Sequence, residues 1–390
     1  MYSRYRVLPR VLMTLFVAAA GNGTGSAAKG TPPWVQQTLP SRGAWHPHSG
    51  MLQVSLMDIA CPTQRLCYAV GSGKGGPNGF GGATILVTAD GGRSWHPQSN
   101  PLSRRWNAVL QSIACTTAQI CYVAGSAATI LATFDSGRTW RSQRNPLSGT
   151  YRIIYGIACP SITTCYAVGD RTRILATSNG GRTWHDQPSP LKADAYPRDV
   201  ACPGAAICYI VGGGYDMSGQ THSTIIATMN GGRSWRHQRS GTTNALWSIA
   251  CPTISVCYAV GAAGTMLFTG NGGKAWTLQN SPLTALDFLS DIACPSTKIC
   301  YAVGGVRHAF YRTRYVILAT KSGGATWTFQ KAPLGRTTNY TYQYGIACPA
   351  TSTCYVVGGP RLVATTDGGR TWHRLSVRRK EGQCGGTPAV

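Results

Sequence analysis

The chain has 390 residues, of which 36 are lysine or arginine and 12 are aspartate or glutamate, and its formal net charge is +24 at pH 7. A surface with this charge attracts anions over long range, so the composition favours anionic partners and disfavours cationic ones. The chain contains a single glutamate, Glu381, which excludes a catalytic centre built on a glutamate pair.

The first predicted element is a signal peptide over residues 1–28. Arg4, Arg6 and Arg10 precede an apolar run at residues 11–20, and small residues follow it. The run is too short to anchor the chain stably in a bilayer, and no later segment is apolar enough to do so. We therefore expect a secreted or extracytoplasmic mature protein without a transmembrane anchor.

Residues 29–377 form the predicted main domain, in which one pattern recurs seven times. Each copy begins with two cysteines separated by five residues, as in IACPSTKICYAVGG at 292–305. The seven pairs are Cys61 and Cys67, Cys115 and Cys121, Cys159 and Cys165, Cys202 and Cys208, Cys251 and Cys257, Cys294 and Cys300, and Cys348 and Cys354. The period is about 48 residues, which is typical of repeat architectures.

A second segment, which we call the box turn, follows each pair. An apolar run such as ILAT precedes it, and its Asp or Asn, its glycines and its final tryptophan are typical of a tight turn between two strands. The box turns are residues 88–95, 133–140, 177–184, 228–235, 269–276, 320–327 and 365–372. Each repeat thus contains four short strands, and helical periodicity is absent. The sequence predicts an all-β fold, a seven-bladed β-propeller with four-stranded antiparallel blades.

The D-G-G-R-T-W turns resemble the Asp-box, or bacterial neuraminidase repeat, of sialidases, xyloglucan-degrading enzymes and sortilin-type receptors. The fuller repeat, in which Y-A-V-G is followed by I-L-A-T and the box turn, is similar to the photosystem II stability and assembly factor family. This resemblance covers nearly all of residues 34–377. It implies a seven-bladed propeller and, by analogy, a basic patch that holds a client protein. Asp-boxes in that superfamily are structural turns, and a shared fold does not carry a shared activity.

The cysteine pairs predict one disulfide in each blade. Two cysteines that flank a five-residue turn lie at opposed positions of a β-hairpin, where their separation suits a bridge. The alternatives are structural zinc, for which this spacing is not typical, and reduced core cysteines. Seven disulfides require an oxidising compartment. Cys384 is left over in a tail at 378–390 that we predict to be basic and flexible.

Strand connectivity predicts that the two faces of the ring differ. The turns between strands one and two and between strands three and four share a regular face, while the remaining loops share a variable face. Arginine and tyrosine alternate in the variable loops, and these side chains bind carboxylates, phosphates and sugars. The predicted binding residues are Tyr151, Arg152, Tyr155, Tyr196, Arg198, Arg307, Tyr311, Arg312, Arg314, Tyr315, Arg336 and Tyr344. The box-turn cations on the regular face are interpreted as solvated turn residues.

Catalysis has less support in the sequence. A sialidase pairs its tyrosine nucleophile with a glutamate, and Glu381 lies beyond the last repeat. Other glycosidases need two carboxylates. Three aspartates share one repeated position before a first cysteine (Asp58, Asp199 and Asp291), and five others lie outside the motifs (Asp170, Asp186, Asp194, Asp216 and Asp287). No motif selects a pair of them. The histidines show no metal-ligand spacing, so we expect neither a metal nor a cofactor.

The sequence therefore predicts a secreted, disulfide-linked propeller that binds a partner without catalysis. The expected partner is a protein client or an anionic polymer or glycan, nucleic acid is not expected, and the expected state is a monomer. The alternative is a sialidase-like or xyloglucanase-like glycoside hydrolase, or a lectin-like glycan binder. Trp34 and Trp45 both resemble the segment after a box-turn tryptophan, so one of them could add a strand to the last blade and close the ring.

Overall fold

The computed structural model describes residues 54–73, 81–105, 107–170, 172–215, 218–308, 312–337 and 344–375, with backbone alone at positions 308, 312, 336 and 337. The predicted signal peptide, Trp34, Trp45 and the tail that contains Cys384 lie outside these residues. The described part of the chain contains no helix with the length and apolar character needed to cross a bilayer.

The predicted seven-bladed propeller is confirmed, with four antiparallel strands in each blade in sequence order. Blade 1 consists of β1 (Val54–Ala60), β2 (Cys67–Gly73), β3 (Ala83–Thr88) and β4 (His96–Gln98). Blade 2 consists of β5 (Leu110–Cys115), β6 (Cys121–Gly125), β7 (Ile130–Thr133) and β8 (Arg141–Ser142). Blade 3 consists of β9 (Ile154–Ala158), β10 (Cys165–Gly169), β11 (Arg173–Thr177) and β12 (His185–Asp186). Blade 4 consists of β13 (Ala195–Ala201), β14 (Cys208–Tyr215), β15 (Thr221–Thr228) and β16 (Arg236–His237). Blade 5 consists of β17 (Leu246–Ala250), β18 (Cys257–Gly261), β19 (Met266–Thr269) and β20 (Thr277–Leu278). Blade 6 consists of β21 (Phe288–Ala293), β22 (Cys300–His308), β23 (Arg312–Thr320) and β24 (Thr328–Gln330), and the short strand β25 (Arg336–Thr337) pairs with β23. Blade 7 consists of β26 (Tyr344–Ala347), β27 (Cys354–Gly358), β28 (Arg361–Thr365) and β29 (His373–Arg374).

The predicted disulfides are also present in all seven blades. Their cysteine Cα atoms lie 4.0–4.1 Å apart. In blade 2 the two cysteines, Cys115 and Cys121, are opposite each other in the β-sheet register. The tip of each disulfide hairpin also accepts a backbone hydrogen bond from the neighbouring box turn, as from Gly180 to Thr163 at 2.8 Å. The two turns of a blade are therefore fixed to each other.

Each box turn is organised by a buried threonine and an acceptor two residues later. In blade 2 the Thr133 hydroxyl donates to Asp135 and accepts from the Gly137 N–H, both at 2.8 Å. Asp135 then accepts from the Thr139 hydroxyl at 2.6 Å and from its N–H at 2.9 Å. These bonds stabilise the charged carboxylate, and they lower the pKa of Asp135 to about 2.

The hydrophobic core consists of seven clusters, one between each pair of neighbouring blades. In every cluster the tyrosine after a second cysteine meets the box-turn tryptophan of the next blade edge to face, with ring centroids 5.8–6.5 Å apart. The second strands are almost wholly buried because they are enclosed by neighbouring blades on both faces. Their continuous apolar sequence reflects this position.

Blade 7 meets blade 1 by the same packing. Tyr355 contacts Trp95, and Leu56 and Gly359 exchange two backbone hydrogen bonds of 2.9 and 3.2 Å. Among the described strands, no blade takes a strand from the other end of the chain. The described ring therefore closes by contacts between complete blades.

Candidate functional site

The first strands of the blades surround a central cavity of about 590 Å³. Its lining extends from Tyr215 and Arg307, near the variable face, down to Asp58, Asp199 and Asp291 on the first strands. This volume lies within the ordinary range for ligand pockets, so the cavity is the candidate functional site.

The structure brings five of the twelve predicted binding residues to this cavity: Tyr155, Tyr196, Arg198, Arg307 and Tyr344. Tyr315 is buried and packs on Tyr344, with ring centroids 4.2 Å apart. Three others, Tyr151, Arg152 and Arg314, do not contribute to the lining, and Tyr151 is wholly exposed. Tyr311 and the side chains of Arg312 and Arg336 lie outside the described residues.

Two guanidinium groups at the cavity lie over aromatic rings. The Arg198 guanidinium carbon is 4.4 Å from the Tyr155 ring centroid, and that of Arg307 is 5.5 Å from the Phe288 ring centroid. Phe288 in turn packs on Trp247 at 5.6 Å. Cation–π contacts of this kind hold an arginine through the face of its guanidinium group, whereas an anion binds the N–H groups at the edge. Burial raises the pKa of Tyr155, and the charge of Arg198 partly opposes that rise.

The Arg307 backbone is held by a buried aspartate. Its N–H donates to Asp287 Oδ1 at 2.9 Å, and the other carboxylate oxygen of Asp287 accepts from the Thr284 N–H and hydroxyl at 2.8 and 2.9 Å. Asp287 is 4% exposed. It therefore acts as a fixed support for the blade 6 loop beneath the arginine.

Seven residues occupy one repeated position on the first strands, two residues before each Ala-Cys, and we call them the axial ring. They are Asp58, Ser112, Gly156, Asp199, Ser248, Asp291 and Gly345. A β-bulge precedes most of these positions, as between Leu289 and Asp291, and bulges re-aim side chains. The two glycines make room for an aspartate of the next blade, because a Cβ atom at Gly345 would lie 2.7 Å from the Asp58 Cα.

Each aspartate of the axial ring joins its blade to the next one. Asp58 accepts from the Ile59 N–H at 2.7 Å and, through its second oxygen, from the Ile113 N–H of blade 2 at 2.8 Å. Asp199 and Asp291 repeat this arrangement, and their acceptor distances to Val200, Ile249, Ile292 and Ile346 are 2.7–2.9 Å. The carboxylates therefore satisfy backbone donors that would otherwise have no partner in the neighbouring strand.

The Ser248 hydroxyl lies between two of these carboxyl groups, 3.0 Å from Asp199 and 2.6 Å from Asp291. A hydroxyl has one hydrogen, so it donates to one of them, and the other contact is a hydrogen bond only when that carboxyl group is itself protonated. Burial raises the pKa of all three aspartates, that of Asp58 to about 7, and the charge of Asp58 raises that of Asp291 further. The axial ring therefore holds protons at pH values where ordinary aspartates are ionised.

The cavity is polarised along the ring axis. Asp291 pairs with Val303 in the register of blade 6, whereas Arg307 lies beyond the first pair of that ladder, Phe288 with Gly305. Arg307 thus lies toward the variable face and the carboxyl groups toward the regular face, whereas Arg198 directly precedes Asp199 on β13. Sequence reasoning noted the repeated aspartates but did not place them at the site. The signal that could have identified them was a polar residue recurring at one position of an otherwise apolar strand.

The remaining described aspartates have structural partners. Asp170 accepts from the Ile153 N–H, Asp186 pairs with Arg173, and Asp194 contacts His222. Asp216 lies outside the described residues. Within the part of the chain that the structure describes, no group of three or more His, Cys, Asp or Glu residues has the geometry to hold a metal ion.

No protein-family model matches the chain, and no curated protein matches it. Its structure is similar to several solved β-propellers. YCF48 bound to D1 peptide is 17% identical over 81% of this chain and 94% of that chain, with a TM-score of 0.58. YCF48 from Cyanidioschyzon merolae is 16% identical over 80% and 96%, with a TM-score of 0.59. The WD40 β-propeller domain of Doa1 is 8% identical over 80% and 95%, with a TM-score of 0.57. At these identities the likeness shows the fold alone.

Proposed function

We propose that the chain is a secreted, non-catalytic binding protein that holds an extended segment of a partner protein at the mouth of the central cavity. In this proposal, an acidic side chain or a terminal carboxylate of that segment binds Arg198 and Arg307. The observation that carries the proposal is the convergence of both arginines and several aromatic residues at one cavity.

The chemistry of the cavity wall supports a peptide ligand with an acidic group. An arginine fork binds a carboxylate through two parallel N–H bonds, and the aromatic stacking of Arg198 and Arg307 reduces the freedom lost on binding. Trp247, Phe288 and Tyr196 offer apolar faces for neighbouring side chains. Loops on a rigid scaffold are the usual location of such sites.

The similarity to YCF48 bound to D1 peptide supports peptide binding as a use of this architecture. The seven disulfides support an oxidising location, as does the predicted signal peptide. We also interpret the box turns as Asp-boxes. A structural and non-catalytic role of these turns fits the proposal, because Asp135 in blade 2 forms its hydrogen bonds within its own turn.

The test is binding of the oxidised mature protein to a library of extended peptides in acidic, neutral and C-terminally amidated forms at physiological salt. We expect acidic peptides to bind best, and the double variant Arg198→Ala and Arg307→Ala to weaken them at least tenfold. The matched control is Arg104→Ala with Arg105→Ala, two exposed arginines of a variable-face loop outside the cavity lining. Equal losses in both double variants, or no preference for acidic peptides over neutral and amidated ones, would contradict the proposal.

A glycoside hydrolase is the second candidate, and one observation favours it. Asp199 and Asp291 face one cavity and share Ser248, and a retained proton on a carboxyl group is what a general acid needs. The same carboxyl oxygens accept backbone N–H groups of neighbouring blades, which supports a structural role. Hydrolysis of a glycan by the native protein, abolished by Asp291→Asn, would favour this candidate; no turnover on glycans would count against it.

A further inference from the structure

The regular face of the ring consists of fourteen short turns of uniform design. Seven are disulfide hairpins with five residues between the cysteines, and seven are box turns. A box-turn N–H donates to a hairpin carbonyl in each blade, as from Gly91 to Arg65 at 3.0 Å and from Gly272 to Ser255 at 2.9 Å. Because the seven hairpins have one length, the seven box turns have one length, and a hydrogen bond joins the two turns of each blade, their tips form a broad and rigid surface.

This surface carries a large excess of exposed cations. They are Arg65, Arg93, Arg138, Arg182, Arg233, Lys274, Lys298, Lys321 and Arg370. The acidic residues of the same turns are Asp90, Asp135 and Asp367, whose carboxylates are engaged by threonine and serine hydroxyl groups inside their own turns. At the described tips the cations therefore outnumber the acidic groups and point to solvent. Arg138 and Arg370 are attracted to the aspartates of their own turns.

Large apolar side chains also project from this face, in four consecutive blades. Phe134 and Met229 occupy the same position of their box turns and are 47% and 51% exposed. Ile162 and Ile254 occupy the same position of their disulfide hairpins and are 55% and 56% exposed. Blades 2 to 5 thus each present one exposed apolar tip among the cations.

We propose that the regular face docks on an anionic lipid bilayer, with its arginines and lysines at the head groups and Phe134, Ile162, Met229 and Ile254 in the interfacial layer. Basic residues bind anionic lipid surfaces, and apolar side chains between them gain from leaving water at the head-group boundary. A soluble polyanion such as an acidic polysaccharide would use the cations but would leave the apolar tips in water. The apolar tips therefore favour a bilayer over a polymer.

This surface lies on the face opposite the variable loops. Docking would leave the mouth of the cavity directed away from the bilayer, where a partner can reach it. The inference is independent of the peptide proposal, because no residue of the regular-face tips lines the cavity.

The test is co-sedimentation of the full-length mature protein with vesicles of phosphatidylcholine alone or with about 30% phosphatidylserine, at about 0.15 M and about 0.5 M salt. We expect binding to the anionic vesicles only. The charge variant Arg138→Ser, Arg182→Ser and Arg233→Ser should lower the partition coefficient more than tenfold, since each charge near such a surface contributes roughly fivefold. The apolar variant Ile162→Ser, Met229→Ser and Ile254→Ser should lower it severalfold at both salt concentrations.

The matched control removes three exposed cations from the variable face, Arg104→Ser, Arg105→Ser and Lys192→Ser, and should retain binding within about threefold because these charges lie away from the bilayer. All substituted side chains are exposed, and thermal unfolding of each variant verifies that it is folded. No binding to anionic vesicles, or an equal loss in the control, would overturn the proposal. A soluble polyanion would instead be the ligand of this face if two results were found together. The apolar variant would bind anionic vesicles as well as the native protein does, and the native protein would bind dextran sulfate as well as it binds the vesicles.

Discussion

At the scale of the residue, aspartate behaves in opposite ways at two places in this protein. Asp135 lies in an exposed box turn, where the Thr139 hydroxyl and N–H stabilise the ionised form and lower its pKa to about 2. Asp58 lies in the axial ring, where burial raises its pKa to about 7 although two backbone N–H groups oppose the rise. The environment, and not the residue type, decides which protonation state the fold stabilises.

These shifts predict a stability maximum on the acidic side of neutrality. A raised pKa in the folded state means that folding favours the protonated group, so the stabilisation by Asp58 is full below about pH 4 and is lost as pH rises toward 7. The box-turn aspartates act in the opposite sense, and their contribution is lost as pH falls toward 2. We expect the free energy of unfolding to fall by roughly 2–4 kcal/mol between about pH 4.5 and about pH 8.

The measurement is urea unfolding at several pH values for the native chain and for Asp58→Asn. Because Asp58→Asn removes one titrating group, its free energy of unfolding should change less with pH than that of the native chain. In acid the variant should be less stable than the native chain, because the amide fits the two N–H donors less well. Asp135→Asn is the control, because the pKa of Asp135 is lowered to about 2 and Asn occupies the same position in other box turns; this variant should keep the native pH profile between about pH 4.5 and about pH 8. A pH profile of Asp58→Asn that matches the native one would show that Asp58 does not titrate in this range.

At the scale of the element, the box turn is also a contact between blades. Gly232 has φ of +80°, and a Cβ atom there would lie 2.9 Å from Cε1 of Tyr166 in the preceding blade. Tyr166 in turn meets Trp235 edge to face at 5.8 Å. One short motif therefore supplies both the turn and the surface against which the neighbouring tyrosine packs.

This arrangement predicts that Gly232→Ala is more destabilising than backbone strain alone requires. Gly219→Ala is the matched control, because Gly219 has the same φ of +80° but a Cβ atom there would meet no other atom within 4 Å. We expect Gly219→Ala to cost about 1 kcal/mol and Gly232→Ala about 2–3 kcal/mol in free energy of unfolding, measured by urea denaturation. Equal costs would show that the tyrosine moves aside without penalty.

At the scale of the whole molecule, seven similar interfaces hold the ring together. Each interface combines a tyrosine–tryptophan contact with an apolar cluster, and the interface between blades 7 and 1 has the same composition as the others. The disulfides act inside blades and so stabilise each unit, whereas Asp58, Asp199 and Asp291 act between blades. Local covalent links and interfacial hydrogen bonds therefore serve different levels of the structure.

This closure predicts that the segment before residue 49 is not needed for folding. The described strands already supply four strands to every blade, so a chain of residues 49–390 should unfold at the same urea concentration, within error, as a chain of residues 29–390. A clear loss of stability in the shorter chain, restored by the segment that contains Trp34 and Trp45, would show that one of these tryptophans adds to the ring after all. Trp34→Ala and Trp45→Ala in the longer chain would then identify which one.

The sequence alone determined the fold, the four strands of each blade, the disulfide pairing and the two unlike faces. These features depend on residues close together in the chain and are repeated seven times, so the copies reinforce one another. Only the tertiary structure decided which residues share the cavity. Asp199, Ser248 and Asp291 are separated by more than 40 positions in the chain and meet because the first strands surround a common axis. Likewise Tyr155 and Arg307 line one cavity while Tyr151, four positions from Tyr155, is fully exposed. Sequence proximity sets local turns and pairs, but ring closure sets the distances between blades.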